Sequence, residues 1–224
     1  SFELTDHILL EKVAKTKKPV ILSTGMATIK EIRESVNVLK RNGAKGITLL
    51  KCTSSYPASL SDLNLLTIKD MKKKFGCNIG YSDHSIGVSA AVTAVTLGAN
   101  VIEKHFTLSK NDGSLDSKFS SDPKELAMIV KLCMEAKQSL GIIKYGPTTN
   151  EKKSIKKRRS LYFVKNLSKG KIINKNDIGS FRPALGLETK FYKTIIGKKL
   201  LKVAKYGDPV KFSFFKNSRI TRSS

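Results

Sequence analysis

The sequence predicts an α/β protein: the C-terminal half of a (β/α)8 barrel followed by a small, mostly β domain. Three observations carry this expectation. Short apolar runs alternate with segments of helical spacing four times between residues 19 and 141. Each apolar run ends in polar residues, as barrel strands do where ligands bind at their carboxyl ends. Beyond residue 157 the rhythm changes to short β-like runs broken by turn residues.

Residues 19–24 (PVILST) form the first strand, apolar until its last two residues. Residues 27–42 follow as a helix, with Ile29, Ile32, Val36 and Leu39 on one face. Residues 46–53 (GITLLKCT) are the second strand, and residues 63–75 the next helix, with Leu65, Ile68 and Met71 at helical spacing. Residues 78–84 (NIGYSDH) are a third strand with a polar end. Residues 88–97 are a small-residue helix closed by Gly98, and residues 101–107 (VIEKHFT) are the fourth strand. Asp122 caps a last helix with Pro123 at its first position. Leu126, Ile129, Val130, Cys133, Ala136 and Leu140 form its apolar stripe, and Gly141 ends it. Four strand–helix units in succession imply a parallel sheet with helical crossovers. Half a barrel alone has two open sheet edges, so the other half is expected upstream of Ser1, where the chain enters as if in mid-domain.

The barrel part is expected over residues 1–146, a linker over 147–157 and the β domain over 158–224. The linker is marked by Gly, Pro, Thr and Asn and then by lysines. The β domain is marked by KG, KND and YGDP turns. With 40% hydrophobic and 27% charged residues, the chain is neither disordered nor a disulfide scaffold. Cys52, Cys77 and Cys133 are too scattered for a CxxC or zinc cluster, and they suit a reducing, cytoplasmic setting. No apolar run reaches the ~20 residues of a membrane span. The net charge of +24 is uneven: residues 1–150 carry 21 Lys/Arg against 14 Asp/Glu, and residues 151–224 carry 21 against 4. Such a segment can bind nucleic acid or attract phosphorylated and carboxylated small molecules. The lysines are scattered rather than interleaved with aromatics, and no RRM, KH or helix-turn-helix pattern is visible, so neither nucleic acid nor membrane is the expected partner.

His84 and His105 end adjacent strands, so their side chains can converge at the barrel mouth. Two imidazoles there suit a divalent transition metal such as manganese, with waters or substrate in the open positions. The alternative is a pair of unrelated structural histidines. The third histidine, His7, lies in a helix-like start and reads as ordinary surface. Asp116, on the loop NDGSLDSKFS, could hold a metal-bound water or a substrate hydroxyl, or only make a turn. Ser23, Thr24, Thr53, Ser54 and Ser82 could donate hydroxyls to a phosphate or only cap strand ends. Tyr56 could line the mouth or pack. No P-loop, GxGxxG or Ser-His-Asp pattern is present.

The segments STGMATIKEI, LLKCTSSYPASLSDLNL, GYSDHSIG and GANVIEKHFTL, in this order, resemble the sialic acid synthase family. Residues 158–200 resemble that family's antifreeze-like (SAF) domain. KNDGSLDSKFS is similar to the pseudaminic acid synthase branch, where the N-acetylneuraminate and legionaminate branches usually carry a PGPDH-like stretch. The resemblance implies condensation of phosphoenolpyruvate with an acetamido sugar to a nine-carbon 2-keto acid, with release of phosphate. For the pseudaminic branch the sugar is 2,4-diacetamido-2,4,6-trideoxy-altrose. It implies a divalent cation (manganese, magnesium or cobalt) on His84 and His105. It implies phosphoenolpyruvate contacts from Ser1, Ser23, Ser54 and Ser82, although some members carry Asn at the Ser54 position. Glu3, Tyr56 and Asp116 match sugar-facing positions, Glu3 and Asp116 with a catalytic part. It also implies a homodimer in which Arg182 of the SAF domain reaches the partner's active site.

Overall fold

Apolar residues on both faces of the predicted strands favour parallel pairing under a layer of helices. The computed structural model describes residues 1–111 and 113–216. Asp112, inside the KNDGSLDSKFS segment, and residues 217–224 of the expected β domain lie outside the described residues. The chain divides into two compact units, Ser1–Ile142 and Ile143–Ser224.

In the first unit, α1 (His7–Lys15) leads into β1 (Val20–Ser23), α2 (Ile29–Arg41), β2 (Ile47–Cys52), α3 (Thr67–Phe75), β3 (Asn78–Asp83), α4 (Ser89–Thr96), β4 (Ile102–Lys104) and α5 (Pro123–Leu140). The strands form one parallel sheet in the order β1-β2-β3-β4. This is the expected run of four strand–helix units. Leu39, Leu49, Ile68 and Tyr81 are fully buried between sheet and helices. Local signals set the helix ends. Thr28 and Glu31 form a reciprocal capping box at the start of α2, as Asp122 and Glu125 do at α5, where Pro123 opens the helix. Before α1, a 3-10 turn at Phe2–Thr5 is pinned by buried Leu4, whose carbonyl accepts the Ser35 hydroxyl at 2.7 Å. That anchor fixes Ser1 and Glu3 beside the sheet.

Two elements are shorter than their apolar patterns. The helix expected from residue 63 starts at Thr67, because Leu60–Asp62 form a 3-10 turn and Asn64 takes a left-handed φ of 47°. β4 has three residues, not seven. After Lys104 the chain leaves β3, and a bridge from Phe106 to Ser121 replaces the ladder.

The second unit pairs β5 (Ser160–Phe163) with β6 (Ile178–Phe181) antiparallel. Isolated bridges such as Leu167 to Ala204 and Ile172 to Lys199 extend it, with one helical turn, α6 (Tyr192–Ile195). Among the described residues it is less regular than the expected mostly β domain, because its turns cut every run short. It still has its own core of Leu161, Phe163, Ile173, Ile195, Leu200 and Val210. The segment expected as a linker carries a 3-10 turn at Glu151–Lys157.

Gly80 marks the tightest point of the parallel sheet. A Cβ there would lie 2.5 Å from Leu50 Cδ2 and 2.6 Å from the Val101 carbonyl oxygen. Backbone cannot yield as a side-chain tip can. Gly80→Ala is therefore expected to cost about 1–3 kcal/mol, read as a lower urea midpoint with an unchanged slope.

Candidate active site at the carboxyl end of the sheet

Strand alternation sorts the candidate residues onto one face. β1 aligns Ser23 with Leu50 of β2, β2 aligns Cys52 with Ser82 of β3, and β3 aligns Ser82 with Glu103 of β4. Residues in register in a parallel sheet share a face, and the face repeats every second residue. Ser23, Cys52, Ser82 and Glu103 therefore point one way, and His84 and His105 continue their rows. Lys51, Asp83 and Lys104 point to the helices.

The histidines do converge. Their ring centroids are 5.2 Å apart, with planes at 75°. Tyr56 stacks on His84 at 4.2 Å and meets His105 edge-on at 5.8 Å. Phe119 closes the cluster, 5.1 Å from His105 and 5.6 Å from Tyr56. His84 Nδ1 lies 2.9 Å from the Thr53 carbonyl. A carbonyl only accepts, so Nδ1 carries the proton and Nε2 keeps its lone pair, the arrangement of a metal-binding imidazole. His105 Nδ1 lies 3.4 Å from Asp116 Oδ2, within ion-pair reach of the carboxylate. Two imidazoles bound to one ion at about 2.1 Å each have ring centres within about 6.5 Å, and the observed pair falls inside that limit. Among the described residues no group of three or more His, Cys, Asp or Glu forms a ready-made cage. The pair thus fits an ion that keeps open positions.

A hydroxyl-rich wall adjoins the imidazoles. Ser1 Oγ and Ser54 Oγ are 2.8 Å apart. A Cβ on Gly25 would strike the Ser1 side chain and lie 2.7 Å from Ser54 Oγ, so only glycine, here at a φ of 47°, fits beneath the two serines. Cys52 Sγ links this wall to the histidines, 3.9 Å from Ser54 Oγ and 3.8 Å from His84 Nδ1. Ser82 Oγ donates to Glu103 Oε1 at 2.7 Å and stands 3.4 Å from His84 Nε2. Ser23 Oγ is a buried hydroxyl with no hydrogen-bond partner of ordinary geometry among the described residues, although the Cys52 thiol senses it. An orphaned hydroxyl in such a wall suits an oxygen-rich ligand.

The electrostatics agree with a working centre. Burial pulls the His84 imidazole down, but the Cys52 thiol and the Thr53 carbonyl outweigh it and hold it above its ordinary value. Burial pushes the Cys52 thiol up, yet hydrogen bonding to His84 and Ser54, the nearby Ser23 hydroxyl and the charge on His84 bring it to about 7. The Tyr56 phenol is raised, first by burial and then by negative charge at Cys52, Asp116, Glu103 and Glu3. Glu3 is exposed but acts on this same cluster.

The first unit thus brings together Ser1, Glu3, Ser23, Ser54, Tyr56, Ser82, His84, His105 and Asp116. Arg182 lies on the second unit, exposed, just after β6. Sequence reasoning missed Cys52, Glu103, Phe119 and the Thr53 carbonyl. Counting by twos from Ser54 and His105 would have found Cys52 and Glu103. Nothing in the sequence marks Phe119, whose place depends on the path of a loop.

A family model described as the NeuB family matches residues 1–145. A pseudaminic acid synthase from Campylobacter jejuni subsp. jejuni (strain 81-176) is 42% identical over 219 residues, covering 96% of this chain and 63% of that protein. An N,N'-diacetyllegionaminic acid synthase from Campylobacter jejuni (strain ATCC 700819) is also 42% identical, over 88% of this chain and 60% of its own length. Among solved structures, the N-acetylneuraminic acid synthetase of Leptospira borgpetersenii, in complex with citrate, superimposes with a TM-score of 0.63 at 38% identity, covering 68% of this chain and 53% of that one. The chain spans about three fifths of the length of the curated relatives it matches. With well over half its residues inside the family match, in the unit that carries the paired histidines, the chain belongs to the NeuB family.

Proposed function

We propose that this chain carries the metal and phosphate side of a pseudaminic acid synthase. The reaction joins phosphoenolpyruvate to 2,4-diacetamido-2,4,6-trideoxy-altrose and releases phosphate. The observation that carries the proposal is the 5.2 Å approach of His84 and His105 beside a wall of serines. The C3 carbon of phosphoenolpyruvate forms a bond to the sugar's aldehyde carbon, water adds at C2, and the C2–O bond to phosphate breaks.

A divalent cation such as manganese, held by His84 and His105, would supply Lewis acidity toward the aldehyde oxygen. The chain's own residues divide the remaining work. Ser1, Ser54 and Ser23 offer hydroxyls to the phosphate and carboxylate oxygens of phosphoenolpyruvate, and Ser82 joins them on turning its proton away from Glu103. Thr53 holds the Nδ1 proton of His84 and so fixes that ring's orientation, and Asp116 stands 3.4 Å from His105 Nδ1. Tyr56 and Phe119 form an apolar wall for the sugar ring and keep water from the imidazole faces. Glu3 and Asp116, whose charges reach the Tyr56 phenol, are the proposed acid–base groups on the sugar side. The second unit is proposed as a SAF domain, with Arg182 serving the site of a homodimer partner and forking to acyl oxygens. A cytoplasmic setting, with the three cysteines free, belongs to the same proposal.

The identical 42% identity to the legionaminic acid synthase supports a second reading, in which the sugar differs while the phosphoenolpyruvate chemistry is kept. Phosphate release from phosphoenolpyruvate, measured with each candidate sugar in turn, separates them. Release is expected with the altrose sugar and manganese together and with neither alone. Faster release with N-acetylmannosamine or the legionaminate precursor would reverse the assignment.

His84→Ala is expected to cut turnover by more than about a hundredfold, beyond the usual outer-shell loss, while far-UV circular dichroism stays as in the parent. Retained turnover would remove the metal role. The pH dependence has a definite sign. Only neutral imidazole binds a metal, and His84 titrates above the ordinary value of 6.5. Manganese affinity should therefore be full in alkaline solution and fall on acidification through that raised value, by about tenfold per pH unit for one competing proton. Calorimetric titration between pH 6 and 8.5 checks it.

A further inference from the structure

Behind the histidines lies a buried ion pair that the reaction does not use. Three register pairs join β3 to β4: Tyr81 with Ile102, Ser82 with Glu103, and Asp83 with Lys104. His84 and His105 are the next residues of the two strands. Lys104 Nζ is 2.8 Å from Asp83 Oδ2, and the two side chains are 3% and 0% exposed. Lys104 also donates to the Ser85 carbonyl. The other oxygen of Asp83 accepts from the Tyr81 hydroxyl at 3.2 Å, the Ser85 amide at 2.9 Å and the Ser85 hydroxyl at 2.6 Å.

This network is an unusual choice if stability is its purpose. Two buried charges recover little more than their desolvation cost, and apolar residues of the same volume often hold such a layer as well or better. What a saturated ion pair adds is a fixed geometry. The Asp83 carboxylate binds the residue after His84 and, across the strands, the residue before His105. His84 is therefore held between two residues anchored on one carboxylate, and its own carbonyl is tied to the Ala58 amide at 2.9 Å. The His105 carbonyl is tied in turn to the Ser121 amide at 2.8 Å. β4 has only three ladder residues to hold His105 in place, so the side-chain tie at its last rung carries much of that task.

The geometry points to Asp83 and Lys104 as positioning residues that set the separation and tilt of the His84 and His105 imidazoles, and through them the affinity for a divalent cation. This rests on the metal reading of the histidine pair. The test is manganese affinity by isothermal titration calorimetry, with thermal melting in parallel, on the parent protein, His84→Ala, the double variant Asp83→Asn/Lys104→Met, and Ser85→Ala. The double variant removes both charges at nearly constant volume, and Ser85→Ala removes one hydroxyl from the carboxylate. The double variant is expected to bind manganese at least about tenfold more weakly, within the range of outer-shell changes. Ser85→Ala is expected to lose about threefold or more, at the lower edge of that range, with little change in melting. A merely structural pair would move the melting temperature and leave the affinity alone. Parent-like manganese affinity in the double variant overturns the proposal, and should that variant fail to fold, parent-like affinity in Ser85→Ala overturns it. Parent-like binding by His84→Ala would instead reject the metal reading, and this proposal with it.

Discussion

The site depends on the register between β3 and β4. Side chains on a strand alternate faces, so a slip of one residue would turn every functional group toward the helices. With Ser82 opposite Glu103, the next residues toward the site face are His84 and His105. That register brings the two imidazoles to within 5.2 Å of each other. The register is held on both faces at once. On the site face Ser82 bonds Glu103, and on the helix face Asp83 bonds Lys104. Gly80 contributes lower down, by letting Leu50 and the Val101 carbonyl close over the strand without a side chain in between.

Much of this was legible in the sequence, and the reasons differ by element. The four strands could be read because each is a short apolar run between helical patterns, and α5 because Asp122, Pro123 and Gly141 mark its ends. The histidine pair could be read because the two residues end neighbouring strands, a statement about topology alone. The Thr53 carbonyl that sets the His84 tautomer could not be read, since a backbone acceptor carries no residue signature. Asp116 was visible as a loop acid, but its approach to His105 depends on Ser121 pairing back to the His105 carbonyl. The shortened β4 has the same cause: that pairing captures the chain before the strand can run on. In the second unit the β pattern was visible, yet its many turns leave one regular two-stranded ladder among the described residues.

The two walls of the site differ in chemistry, as the proposed substrates do. One is built of neutral hydroxyls and a glycine, at Ser1, Ser54, Ser23 and Gly25. Hydroxyls can reorient toward an anion at little cost and add no charge of their own. The other carries carboxylates: Glu3, Glu103 and Asp116 all act on the Tyr56 phenol. A multiply charged phosphate ester would be repelled by that second wall, whereas a neutral sugar with many hydroxyls would find acceptors there. The imidazoles adjoin both sets of groups, beside which the proposed reaction would form its carbon–carbon bond. A chain of net charge +24 draws anions toward itself from a distance. That long-range field cannot choose a binding pose, because it is nearly uniform across a few ångströms. In the proposed reaction the choice would fall to the local carboxylates, which would turn the anionic reactant toward the serines and leave the tyrosine side to the sugar.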